Sequence, residues 1–210
     1  MRLHGYFRST AAWRVRIALN LKGLRADHVF HHLRRSEQRA PDYLRLNPQG
    51  LVPALELDDG AVLTQSVAIC EWLDETHPAP PLLPADALGR ARVRAFALAI
   101  ACDIHPVRNL RVLARLRELS VPEPEVTGWA RWVIDDGLAA CERLLAGISG
   151  PFCFGQAPTL ADVCLVPQLG NARRFGCDLT RVPRLIAAEA ACDAVAAFAQ
   201  AAPGQQPDAD

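Results

Sequence analysis

The sequence predicts two domains of different class: a mixed α/β layer over residues 1–78 and an all-helical domain over residues 89–210. Three observations carry this reading. Strand-length and helix-length segments alternate up to residue 78. Pro78-Ala79-Pro80-Pro81 through Pro84 is a stiff stretch that cannot continue a helix, so residues 79–88 read as a linker. Beyond Gly89 no strand pattern stands out, and long helix-length segments follow.

In chain order, Leu3–Phe7 is a short apolar run, interrupted by His4 and Gly5, that reads as a strand. Ser9 is a natural N-cap for a segment free of Pro and Gly until Gly23, which predicts a helix over 9–22. In that helix Trp13, Ile17 and Leu21 form one stripe, with Ala11, Val15, Ala18 and Leu19 beside it, so most of its surface should be covered. Asp27–Leu33, carrying Val29 and Phe30, is a second short strand, and Pro41–Leu46 a brief helix. Asn47-Pro48-Gln49-Gly50 is dense in turn residues. Val52–Leu57 alternates, Asp58-Asp59-Gly60 supplies a hairpin turn and Ala61–Thr64 returns. Ser66 opens a helix through Ile69, Trp72 and Leu73 that ends near His77-Pro78. The order βαβ, helix, ββα describes a thioredoxin-like layer.

The second half reads as helices throughout. Arg90 to about Leu119 is one long helix, bent at Pro106. Glu125–Ala146 is a second, carrying Trp129, Trp132, Val133 and Leu144. Thr159 caps a third, with Asp162 at the position where a capping box places its acidic partner and Pro167 inside. Pro183 to about Ala201 closes the set, and the polar tail from Pro203 is expected to fray.

Composition narrows the function. The 23 basic and 23 acidic residues cancel, so nothing points to nucleic acid or to an anionic membrane. Lys22 is the single lysine, so the many arginines read as a compositional bias spread over solvated surface. Seven cysteines, an odd number without a CxxC pair, lie mostly in apolar helical contexts. They read as reduced core residues of a cytoplasmic protein rather than disulfides or metal ligands. Arg2, His4 and Arg8 argue against a secretory signal, and no apolar run is long enough to span a membrane.

Three features of the first domain can carry chemistry. Ser9-Thr10 stands at a helix start directly after Arg8, where a thiolate or carboxylate would meet N–H donors, partial positive charge and a guanidinium. An ordinary N-cap beside a solvated arginine is the alternative. Leu51-Val52-Pro53 enters a strand after a turn; a cis proline there would turn the Val52 N–H and C=O outward, toward an extended ligand. Gln65-Ser66 places an amide and a hydroxyl at another helix mouth, a carboxylate site in miniature. In the helical domain, Cys102-Asp103-Ile104-His105-Pro106 with Arg108, Asn109 and Arg111 is the densest polar patch. Arg173-Arg174 sits late in another helix, and arginines of this kind bind carboxylates bidentately.

Over essentially its whole length the sequence resembles the zeta-class glutathione transferases, the group that contains the maleylacetoacetate and maleylpyruvate isomerases. The resemblance rests on Phe7-Arg8-Ser9 with Trp13–Leu19, Asn47-Pro48-Gln49 with Leu51-Val52-Pro53, and Gln65-Ser66. It continues in Asp103-Ile104-His105-Pro106, Asn109, Arg111, Thr159-Leu160-Ala161-Asp162 and Asn171–Phe175. It implies a glutathione cofactor and a role for Ser9, with Thr10, at the sulfur. It also implies that Val52 pairs with the cysteinyl segment, that Gln65 and Ser66 take the γ-glutamyl carboxylate, that Gln49 lies alongside, and that Gln38 lies toward the glycine end. Ala11 occupies a position where family members often carry a cysteine. Asp103, His105 and Asn109 would border the bound peptide near a subunit interface of a homodimer, and Arg8, Arg111 and Arg174 would hold the carboxylates of a small dicarboxylate substrate. The implied reaction is glutathione-dependent cis–trans isomerisation of a maleyl β-ketoacid. A transferase or dehalogenase of halogenated acids and a non-catalytic binding protein are the alternatives; Ala11 weighs against dehalogenation, and an intact Ser9 and Gln65-Ser66 against the binding protein.

Overall fold

Short alternating apolar segments pair into a single four-stranded sheet in the computed structural model, which describes residues 1–209. β1 (Arg2–Gly5), β2 (Asp27–Phe30), β3 (Ala54–Glu56) and β4 (Val62–Thr64) lie in the order β2-β1-β3-β4. β1 runs parallel to β2, with Leu3 opposite His28, and antiparallel to β3, with Leu3 opposite Leu55. β3 and β4 form the expected hairpin, closed through Gly60 at φ +86, a conformation that a residue with Cβ disfavours. Helices α1 (Thr10–Leu21), α2 (Pro41–Leu46) and α3 (Ser66–Thr76) complete the thioredoxin-like layer. The mixed sheet with its helices is the fold class that the sequence predicts.

The chain divides into two compact units: Met1–Leu82 with the chain from Asp193 onward, and Leu83–Cys192. This differs from the expected division, in which everything after residue 88 belonged to the helical domain. The reason lies in α1. Asn20 Nδ2 donates to Ala197 O at 3.0 Å, Arg16 Nε donates to Ala201 O at 3.0 Å, and the Phe7 N–H donates to Asp208 Oδ2 at 2.9 Å. These bonds hold the C-terminal segment against the first unit, so the expected fraying does not hold for the described residues.

In the second unit, α4 (Ala87–Leu98) runs into a π-helical turn (Ala99–Ile104), and a 3-10 turn (Pro106–Arg108) precedes α5 (Leu110–Glu118). The expected single bent helix is therefore broken. Pro106 offers no N–H, and Asn109 in extended backbone starts a new helix by accepting the Arg111 N–H at 3.4 Å. α6 (Glu123–Leu144), α7 (Leu160–Phe175) and α8 (Pro183–Asp193) follow. The expected closing helix is interrupted before α9 (Ala196–Ala201), which belongs to the first unit. α7 is buried from Leu160 to Leu169, and its start is fixed by the predicted box: Asp162 Oδ2 accepts from the Thr159 N–H at 2.8 Å and from Thr159 Oγ1 at 2.9 Å. The other Asp162 oxygen accepts the Cys153 N–H at 2.8 Å, which ties the preceding loop to the helix. Among the described residues no helix is long and apolar enough to cross a membrane.

Candidate active site

The start of α1 is built as predicted. Ser9 sits in extended backbone (φ −67°, ψ 114°), its N–H donates to Tyr6 O at 2.9 Å, and its Oγ accepts the Ala12 N–H at 3.2 Å. That cap uses the oxygen as an acceptor and leaves the hydroxyl proton to be donated elsewhere. Ser9 is half-buried while Thr10 and Ala11 are buried, so Ser9 is the member of the trio at the surface. The Arg8 guanidinium carbon lies 4.9 Å from the Phe7 ring centroid, beside the helix start.

Before β3 the Val52–Pro53 peptide bond is cis. The Leu51 carbonyl just before it accepts two bonds, from the Tyr43 hydroxyl at 2.6 Å and from Asn47 Nδ2 at 2.7 Å. Asn47 Oδ1 in turn accepts the Gln49 N–H at 3.1 Å, and Gly50 at φ +59 closes the turn. Asn47 and Tyr43 are both buried, and burial pushes the Tyr43 hydroxyl up to about 12, so it stays a donor. Val52 makes no backbone hydrogen bond of its own among the described residues.

The start of α3 is different. Gln65 takes the Ncap position at φ +67, rare for a residue with a side chain, and makes no side-chain cap. Its amide instead donates to Gln49 Oε1 at 2.9 Å, which joins two of the predicted residues. The first-turn N–H groups therefore have no side-chain acceptor at the cap. Ser66 is buried, and its Oγ accepts from Arg14 Nη1 at 3.3 Å. Arg14 is 1 % exposed, and among the described residues its Nε and Nη2 find no hydrogen-bond acceptor. The neutral Ser66 hydroxyl thus holds a buried guanidinium directly behind the α3 start. Gln38, on a 3-10 turn (Glu37–Arg39), is half-buried and not bonded into this group; among the described residues its side-chain oxygen has no hydrogen-bond partner.

In the second unit Asp103 lies exposed on the π turn, His105 half-buried after it, and Asn109 caps α5. The turn fits against α6 because residue 137 is glycine: a Cβ there would come within 2.3 Å of Ile104 Cγ1. Arg111 is exposed in the first turn of α5. Arg173 and Arg174 are both exposed but differ in use: Arg173 is paired with Glu189, and the Arg174 guanidinium carbon lies 5.4 Å from the Phe175 ring centroid.

Sequence reasoning missed Arg14, Arg16 and Tyr43. The expectation of solvated arginines fails for Arg14 and Arg16, which are 1 % and 5 % exposed. The signal was present in part, since a helix covered on most faces leaves little surface through which Arg14 and Arg16, in its middle, could reach water. The cysteines behave mostly as expected. Cys70, Cys141, Cys153, Cys164 and Cys192 are buried, whereas Cys102 is exposed. Burial pushes the Cys141 and Cys177 thiols up to about 12, so neither is a nucleophile near neutrality. Among the described residues no cluster of His, Cys, Asp or Glu is arranged to hold a metal ion.

Comparison with known proteins places the chain in a family. Residues 8–76 match the model of the glutathione S-transferase N-terminal domain. A maleylpyruvate isomerase from a Ralstonia species is 49% identical over 212 residues, covering 99% of each chain. The holo structure of a maleylpyruvate isomerase, described as a bacterial zeta-class glutathione S-transferase, superposes with a TM-score of 0.97 at 47% identity over 100% of both chains. A maleylacetoacetate isomerase from Anaeromyxobacter dehalogenans, solved with glutathione in its active site, gives 0.91 at 48% identity over 100% of this chain and 97% of that one. The chain belongs to the zeta class of glutathione transferases, the family of maleylacetoacetate and maleylpyruvate isomerases.

Proposed function

We propose that the protein is a glutathione-dependent cis–trans isomerase that converts maleylpyruvate or maleylacetoacetate to the fumaryl isomer. The observation that carries the reading is the pairing of two unlike helix starts in one small layer. One presents a half-buried serine hydroxyl beside Arg8; the other is an uncapped start backed by the buried Arg14. Glutathione fits such a pair because it carries a thiol and, at the far end of its γ-glutamyl arm, a carboxylate.

When bound, glutathione supplies a thiolate that adds to the alkene, lowers its bond order so that it rotates, and is then released unchanged. The protein's part is to hold charge and position. Ser9 donates its hydroxyl proton to the sulfur, and the α1 N-terminus favours the anion there, with Thr10 and Ala11 lining it. The N–H and C=O of Val52 pair with the peptide's cysteinyl segment. Gln65, Ser66 and the α3 N–H groups receive the γ-glutamyl carboxylate, helped by Arg14; Gln49 orients Gln65, and Gln38 serves the glycine end. Asp103, His105 and Asn109 border the peptide. Arg8, Arg111 and Arg174 hold the carboxylates and the developing enolate charge of the substrate. We read the working form as a cytoplasmic homodimer, which light scattering of the purified protein checks.

The test is the absorbance decay of maleylpyruvate and of maleylacetoacetate, each with and without glutathione. Strictly glutathione-dependent turnover supports the reading, and the preferred substrate names the reaction. Binding of glutathione without turnover of either substrate overturns it.

A further inference from the structure

Both backbone groups of Phe7, the residue two before Ser9, are held from elsewhere in the first unit. Its N–H donates to Asp208 Oδ2 at 2.9 Å, and its C=O accepts from Arg16 Nη2 at 3.0 Å. Arg16 is itself anchored to the C-terminal segment through Ala201 O at 3.0 Å. The turn then closes locally, Ser9 N–H to Tyr6 O at 2.9 Å. The two peptide planes that flank Phe7, and so lead into Arg8 and Ser9, are thus held one by the tail and the other by an arginine docked to the same tail.

The electrostatics of the joint reinforce it. Asp208 is half-buried; among the described residues its second oxygen, also buried, has no hydrogen-bond partner, and the Phe7 amide is the one hydrogen bond that fixes the carboxylate. Positive charge faces it from α1, where the Arg16 guanidinium interacts with it, and the His28 ring, held below its ordinary value by burial and Arg16, lies within its field from β2. Burial pulls Arg16 down to about 10, and the field of Asp208 opposes that shift. A guanidinium still charged at neutral pH is therefore locked between the tail and the loop.

We propose that the C-terminal segment acts on the reaction as a positioning element: Asp208, with Arg16, sets the Phe7–Ser9 loop so that the Ser9 hydroxyl meets the glutathione sulfur. Asp208 works through Phe7, without touching substrate. The inference rests on the assignment of Ser9 to the thiol.

Two variants separate the bond from the fold. Asp208→Ala removes the acceptor for the Phe7 amide, while Asp208→Asn keeps a side-chain oxygen that can accept it. The expected result for Asp208→Ala is about a tenfold fall in kcat, little change in the glutathione KM, and an upward shift of the bound glutathione thiol's pKa, because small displacements of a positioned group are costly. Hydrogen exchange of the Phe7 and Ser9 amides should speed up by about tenfold or more. Asp208→Asn should restore most of each. Unchanged exchange in Asp208→Ala overturns the clamp, and so does faster exchange with an unchanged thiol pKa. A failure to restore in Asp208→Asn overturns the role of the hydrogen bond. Ser9→Ala is measured alongside: if it leaves the thiol pKa unmoved, the assignment of Ser9 fails, while the exchange data still decide whether the tail holds the loop.

Discussion

The two helix starts of the thioredoxin-like layer have the same backbone need and meet it in opposite ways. α1 is capped by its own Ser9, which accepts the Ala12 N–H, so the anion-attracting groups there are partly satisfied and the hydroxyl proton is the available feature. α3 has an Ncap residue in a left-handed conformation with no side-chain cap, a buried Ser66 and a buried guanidinium behind it. The first start is equipped to donate one hydrogen bond to a thiolate. The second is equipped to receive a whole carboxylate. In the proposed function, local capping separates the group that would activate from the group that would anchor, although both are a serine at the beginning of a helix.

The two helices are also cross-linked at both ends. At the starts Arg14 of α1 reaches Ser66 of α3; at the other ends Lys22 Nζ lies 2.6 Å from Asp74 Oδ1 and also donates to the Pro80 carbonyl. The Lys22 side chain is fully buried, so Lys22→Met leaves Asp74 without its cation. We expect a loss of about 3–5 kcal/mol in unfolding free energy, read by urea denaturation. If the difference between the two starts depends only on their own residues, the glutathione KM of the folded variant stays near that of the wild type.

Removing the donor at the first start comes next. Ser9→Ala should lower kcat by about 10²–10³, the usual cost of one oriented donor to developing or stabilised charge, with a smaller change in glutathione KM. Ser66→Ala should do the reverse, raising the glutathione KM by about tenfold with a modest change in kcat. Equal kcat and KM effects in the two variants would break the comparison.

The smallest effect concerns pH and the sheet beside these helices. His31 Nε2 lies 3.0 Å from His4 Nδ1, and burial, then the field of His4, holds His31 below its ordinary value. Burial, then Arg16, does the same to His28. Depressed histidines take up protons in the unfolded chain before the folded one, so their contribution is complete at higher pH and is lost as pH falls below about 6.5. The urea midpoint should drop between about pH 7.5 and 5.5, and His31→Gln should flatten part of that drop.

Much of this arrangement was legible in the sequence, because its signals are local. Pro41–Leu46 is bounded as read, the Asp58–Gly60 turn closes β3 and β4, and Thr159 with Asp162 forms the expected box. Ser9 stands at a helix start, and Gln65 and Gln49 meet. What escaped depends on residues far apart in the chain. Arg14 and Ser66 are separated by 52 positions, and Arg16 and Ala201 by 185, so the local pattern shows that α1 is covered but not where its arginines find their partners. The break before α5 escaped for a related reason. Pro106 announces a disturbance, but the π turn that precedes it depends on Ile104 packing against Gly137 of another helix.

The most direct test is an ultraviolet titration of the glutathione thiol bound to the wild type, to Ser9→Ala and to Ser66→Ala, each at saturating glutathione. The wild type and Ser66→Ala should hold the thiol pKa well below its free value, and Ser9→Ala should let it return toward that value. A thiol that stays depressed in Ser9→Ala, or that rises only in Ser66→Ala, would contradict the division of roles between the two helix starts.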